Sequence, residues 1–126
     1  RKMKLVFNIV LALVAFFLYW STIIIAFLFG LARSIASNYA YRFLNEFFFN
    51  LAIGTDQLGN ATHKELFNAT LKKDSGYKFG NEDETISSVL GKNKRNETLS
   101  NTGKCLVWVL DLIDGNHSIK SIEEDE

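Results

Sequence analysis

The sequence predicts an all-α membrane protein: one long transmembrane helix, an amphipathic extension, and a small, loop-rich helical domain. Three observations lead there. Leu5 to Leu31 is a run of 27 residues without a charge. Residues 35–52 repeat apolar pairs every four positions. Charge and aromatic mass divide along the chain: residues 1–53 hold five Lys/Arg against Glu46, while residues 54–126 hold nine Lys/Arg against thirteen Asp/Glu. Nine of the eleven Phe precede residue 54, so the 126-residue chain reads as a basic, apolar part (1–53) and an acidic, polar part (54–126).

As a helix, Leu5–Leu31 extends roughly 40 Å, more than the ~30 Å hydrocarbon core of a bilayer. One tilted, single-pass crossing fits; two do not. The run exceeds the ~7–15 residues of a signal-peptide core, so a cleaved signal is the weaker reading. Arg1, Lys2 and Lys4 precede it and Arg33 and Arg42 follow, a slight bias toward a cytoplasmic N-terminus. The chain contains no Pro, which permits long helices. The expected location is therefore a membrane.

From residue 35 to 52 the pairs Ile35-Ala36, Tyr39-Ala40, Phe43-Leu44, Phe47-Phe48 and Leu51-Ala52 set one apolar stripe on a helix. Phe43, Phe47 and Leu51 are the candidate interaction residues, facing lipid or a second copy of the chain. With a bend at Gly30 the second helix could fold back; a single long rod with at most a small kink is the expected arrangement. Gly54 is expected to end the second helix, with a turn or a short helix over 54–62. Thr62-His63-Lys64-Glu65 fits a capping box opening a helix at 63–73. A helix at 84–90, begun by Asp83 or Glu84, would close at Gly91. Residues 91–103 read as linker, and Lys104–Asp114 as the last substantial helix. Trp108 is the expected centre of the polar domain's core, and the lone Cys105 is expected to pack as a small apolar residue. Glu123 to Glu126 read as a solvated acidic end.

The candidates for chemistry are few. Asp111, Asp114 and His117 share a helical face if the helix continues, a weak metal set that Gly115 would interrupt. Otherwise these carboxylates are solvated or pair with Lys104 and Lys120. Ser87 and Ser88 have no base assigned to them, so no catalytic site and no cofactor are expected, and Asp83-Glu84-Thr85 reads as a helix cap. Lys92-Asn93-Lys94-Arg95 reads as a solvated basic loop, and no specific nucleic-acid binding is expected. Asn60, Asn68, Asn96 and Asn116 begin Asn-x-Ser/Thr sequons, relevant only in a secretory lumen.

Three strings occur in order: Asp56-Gln57-Leu58-Gly59-Asn60; Asp83-Glu84-Thr85-Ile86-Ser87-Ser88 with Gly91-Lys92; and Ile113-Asp114-Gly115-Asn116-His117 running into Ser121-Ile122-Glu123. Over residues 50–126 the chain resembles a group of small phage and prophage proteins that share DQLxN, DETISS and IDxxHxxxSIE strings. It departs from them at Ser118, where Cys often follows the His, and at Gly115, where Pro is common. In size and layout it also resembles internal-membrane proteins of lipid-containing phages such as the corticoviruses. The resemblance implies a viral context, with the internal membrane of a virion or a bacterial inner membrane as the expected location, and a structural or assembly role is the function expected there. Its expected partners are the lipid bilayer, other copies of itself, and other viral membrane or capsid proteins. The alternative is an inner-membrane-anchored lysis or host-modifying factor of a tailed phage.

Overall fold

The computed structural model describes residues 1–124. Its elements are α1 (Lys2–Ala36), α2 (Ala40–Thr62), α3 (Lys64–Thr70), α4 (Ile86–Arg95), α5 (Asn101–Ile113) and α6 (His117–Lys120). No strand forms among the described residues; Lys72 and Leu99 make one isolated antiparallel bridge. The chain divides into two compact units, Arg1–Phe49 and Asn50–Glu126.

In the first unit, α1 is long and apolar enough to cross a membrane, and none of its most apolar stretch is buried by the rest of the chain. The hydroxyls within that stretch bond their own helix: Ser21 and Thr22 both donate to the Leu18 carbonyl. The expected continuous rod is replaced by a bend. Asn38 adopts φ 58°, a left-handed conformation that stops a helix and that Asn tolerates better than most residues. Ser37 N–H donates to the carbonyl of Arg33, Asn38 N–H to that of Ile35, and Tyr39 N–H to that of Ser34. α2 then brings Phe43, Phe47 and Phe48 to Phe27, with ring centroids 6.1, 5.0 and 6.1 Å away. Gly30 is no kink. It is a notch in α1, and a side chain there would overlap the Phe43 ring. Two of the three stripe residues, Phe43 and Phe47, thus meet their own chain.

In the second unit, α2 does not stop at Gly54 but runs to Thr62. Gly54 has open space around it, and Gly59 leaves room for Ile86, whose Cδ1 lies 2.8 Å from where a Cβ would stand. The capping box does not form: Thr62 ends α2, its hydroxyl donates to the Leu58 carbonyl, and His63 precedes α3 without a capping bond. α4 begins at Thr85, whose hydroxyl accepts from Ser88 N–H, and passes straight through Gly91 to Arg95. The residues read as linker are ordered. Leu99 is buried in the core, and Ser100 caps α5 by accepting from Gly103 N–H.

Leu71, Phe79, Val89, Leu90, Leu99 and Val107 form the core, with Phe67, Tyr77, Ile86, Leu106 and Leu110 against it. Trp108 is not its centre: 63% of its surface is exposed, and Cys105 is exposed too. The phase of α5 decides this. Gly103 and Val107 face inward because Gly103 lies against the Leu71 carbonyl, which turns positions 105 and 108 outward. α4 packs on α5 and α6. The acidic end is not wholly solvated as expected: Glu123 is bonded into the unit, Glu124 is exposed, and Asp125 and Glu126 lie outside the described residues.

Candidate functional site

The strings singled out in the sequence meet around the N-terminal half of α4. Asp56 and Asn60 lie one turn apart on α2 and face the same way. One Asp56 oxygen accepts from Ile86 N–H at 3.0 Å and the other from Ser87 Oγ at 2.8 Å. The carboxylate serving the exposed N–H groups of α4 is therefore supplied by α2, where the sequence suggested acids in α4's own first turn. Asn60 is fully buried and uses both ends of its amide. Its nitrogen donates to the carbonyls of Glu84 and Asn81, and its oxygen accepts from Gly80 N–H. Gln57 donates to the Asp83 carbonyl at 3.1 Å.

Beneath this cap lies a buried ion pair. Glu84 and Lys92 approach to 2.7 Å, with side chains 3% and 5% exposed. Ser88 Oγ donates to Glu84 at 2.6 Å and Tyr77 Oη donates to its other oxygen at 3.0 Å. Lys92 Nζ also lies 4.4 Å from the Tyr77 ring centroid. Burial disfavours the charge on Lys92, but its bonds to Glu84 and Tyr77 more than compensate and hold its pKa above the usual lysine value. Burial raises the Tyr77 phenol, and the Glu84 carboxylate adds to the rise.

The C-terminal segment closes the network. Glu123 Oε1 accepts from the N–H and hydroxyl of Thr85, at 3.1 and 2.8 Å, while Glu123 N–H donates to Ser88 Oγ at 2.8 Å. Ser118 is fully buried, with its carbonyl against Gly91. No buried side-chain nitrogen or oxygen among the described residues lacks a partner. The DETISS string does supply a cap, at Thr85, and Glu84, Thr85, Ser87 and Ser88 are buried. No protein-family model, curated protein or solved structure matches this chain.

The basic string is likewise no solvated loop. Lys92 is buried with Glu84, Asn93 donates to the carbonyls of Tyr77 and Val89, Lys94 pairs with Asp111 at 2.6 Å, and Arg95 pairs with Glu124 at 2.6 Å. The candidate metal set is dispersed in the same way. Asp111 bonds Lys94 with one oxygen and the Ser118 N–H and hydroxyl, both at 3.0 Å, with the other. Asp114 lies 3.3 Å from His117 and 3.1 Å from Lys120. Among the described residues no three His, Cys, Asp or Glu side chains converge to hold a metal ion.

Tyr77 is a core candidate by hydrophobicity and does pack against the core, but the pairing of Glu84 with Lys92 and the Tyr77 contact to it are not read from the sequence. A signal for the pair existed: Glu84, Ser88 and Lys92 recur at four-residue spacing, which places them along one line of a helix. Reading Gly91 as a terminator cut that line short.

Acid should reveal the Asp111 contacts. Desolvation pushes this carboxyl upward, but Lys94 and the two Ser118 donors outweigh it and hold the pKa below the usual carboxylate value. The unfolded chain then takes up this proton at a higher pH than the folded one. The contribution to stability is complete above about pH 4 and is lost as pH falls below it. Asp114 and Glu124 shift the same way. Asp111→Asn should lower stability at neutral pH and flatten the acid limb of unfolding, read as protection of α4 amides against hydrogen exchange. An acid limb as steep as the parent's would contradict this.

Proposed function

We propose that this is an integral membrane protein of phage origin with a structural or assembly role, anchored by α1 and contacting other viral proteins through its Asn50–Glu126 unit. The observation that carries the reading is the surface of α1. Leu5, Phe7, Phe17, Ile24 and Phe29 expose most of their side-chain surface on all sides of one helix, and only a bilayer or neighbouring apolar helices would cover them. The phage context rests on the three strings, which the fold draws into one network. A binding role fits that network better than catalysis, because its hydroxyl, carboxylate and ammonium groups are buried and bonded to one another.

The test is extraction. The protein should stay in the membrane pellet after alkaline carbonate and after high salt, because a span of this apolarity is held by far more than charge attraction. Release by either wash would overturn the anchor.

A further inference from the structure

From Lys2 to Thr22 every residue of α1 is exposed, whereas Phe27, Gly30, Leu31 and Ser34 are shaded along one face near its end. α2 shades Phe27 and Gly30, and the contacts run in opposite order along the two helices. Gly30 meets Phe43, and Phe27, earlier in α1, meets Phe47, later in α2. α2 therefore starts back alongside α1, and Phe47 and Phe48 stand level with Phe27, inside the uncharged run. The Phe48 ring lies 5.5 Å from that of Phe47, yet 55% of the residue stays exposed. Tyr41, one heptad earlier on the same side of α2, is 85% exposed. The other side of α2 is polar: Arg42 and Glu46 pair at 2.7 Å, beside Asn45. Around the bend at Asn38 stand Arg33, Tyr39, Tyr41 and Arg42.

We propose that the start of α2 lies in the boundary between headgroups and acyl chains of the membrane that α1 crosses, with Tyr41 and Phe48 on lipid and the Arg42–Glu46 side toward water. Contact with α1 selects this occupant. Phe48 is held against Phe27, so whatever surrounds the apolar run at that level surrounds Phe48 as well. Length puts that level at the boundary and not in mid-bilayer. Leu5–Ala26 is 22 residues, about 33 Å of helix, and already fills a hydrocarbon core of ~30 Å. Phe27–Leu31 is the surplus, and it is the part of the run beside which α2 begins. Arginine and tyrosine around the bend belong to the same layer, and a helix with one polar and one apolar side lies along it. The inference rests on α1 spanning a bilayer, and the experiment scores the two separately.

The full-length protein is placed in phosphatidylcholine vesicles whose acyl chains are brominated near the headgroup end or near the methyl end. Phe48→Trp combined with Trp20→Phe and Trp108→Phe leaves one indole, at position 48. Tyr41→Trp in the same background places it at position 41, a site open enough to take indole without repacking. Trp108→Phe alone leaves Trp20, which reports on α1. Position 48 should be quenched more by bromine near the headgroup end, and position 41 should follow the same order. Trp20, roughly 10 Å along α1 from Phe27 toward mid-bilayer, should be quenched more by bromine near the methyl end. The emissions of position 48 and Trp20 should be blue-shifted and resist aqueous iodide. Iodide quenching at 41 and 48 without quenching by either lipid overturns the proposal, because α2 would then start in water. Stronger quenching at 48 by the methyl-end bromine also overturns it, by making α2 a deep re-entrant helix. Protection at 48 from iodide and from both lipids, growing with protein density, would assign the face to a second copy instead. An unquenched Trp20 would overturn the anchor and this inference with it; a quenched Trp20 beside an iodide-open position 48 would overturn this inference alone.

Discussion

Replacing Glu84 by Ala should destabilise the Asn50–Glu126 unit by about 3–5 kcal/mol, the usual result of leaving one partner of a buried ion pair uncompensated. Three groups lose their acceptor together: Lys92 Nζ, Ser88 Oγ and Tyr77 Oη. Hydrogen exchange of α4 amides in the detergent-solubilised full-length protein is the readout, and exchange should accelerate a hundredfold or more. Glu84→Leu combined with Lys92→Met should recover most of the loss, because apolar side chains of similar volume replace buried pairs well. A single variant that costs under about 1 kcal/mol would mean that water reaches Lys92 and that the pair is not sealed.

The second large effect turns on two glycines that look alike in the sequence. Both Gly54 and Gly91 sit inside helices, where Ala is ordinarily better by up to about 1 kcal/mol. At Gly54, with nothing nearby, Gly54→Ala should stabilise by about that amount. At Gly91 the added methyl overlaps the Ser118 carbonyl and comes within 2.7 Å of Ile122 Cγ1. A backbone carbonyl moves only if the whole segment moves. Gly91→Ala should therefore lift residues 118–123 from α4, breaking the bonds of Ser118 to Asp111 and of Glu123 to Thr85, for a loss of about 2–4 kcal/mol. Exchange protection at Thr85 and Ser88 should fall first. Equal stabilisation by both substitutions would show that the C-terminal segment does not bear on α4.

What the sequence made legible follows from what is local. The uninterrupted apolar run of α1 and the helical character of residues 40–52 depend on neighbours within a turn or two, and so could be read directly. The bend at Asn38 could not, because an Asn in the left-handed region looks like any other polar residue until the ring of Phe43 is seen to need Gly30. Gly54 and Gly91 were misread for a related reason: glycine marks either a helix end or a close approach, and only the approaching group distinguishes them. Trp108 was placed inside on hydrophobicity alone, although the phase of α5 is set by Gly103 against the Leu71 carbonyl. The polar network was half legible. Asp56 with Asn60, and Glu84 with Ser88 and Lys92, repeat at helical spacing, but the partner of Thr85 is Glu123, 38 positions later.

That long separation has a consequence for the order of events during synthesis. The ribosome delivers α1 first and Glu123 some 87 residues after Ala36, an interval of roughly 4–17 s at ordinary elongation rates. Throughout it the start of α4 lacks the carboxylate that holds Thr85, and Gly91 has no Ser118 carbonyl to close upon. The apolar helix α1 is thus complete well before the polar unit can shut, and through that interval the rest of the chain is an open, extensible tether.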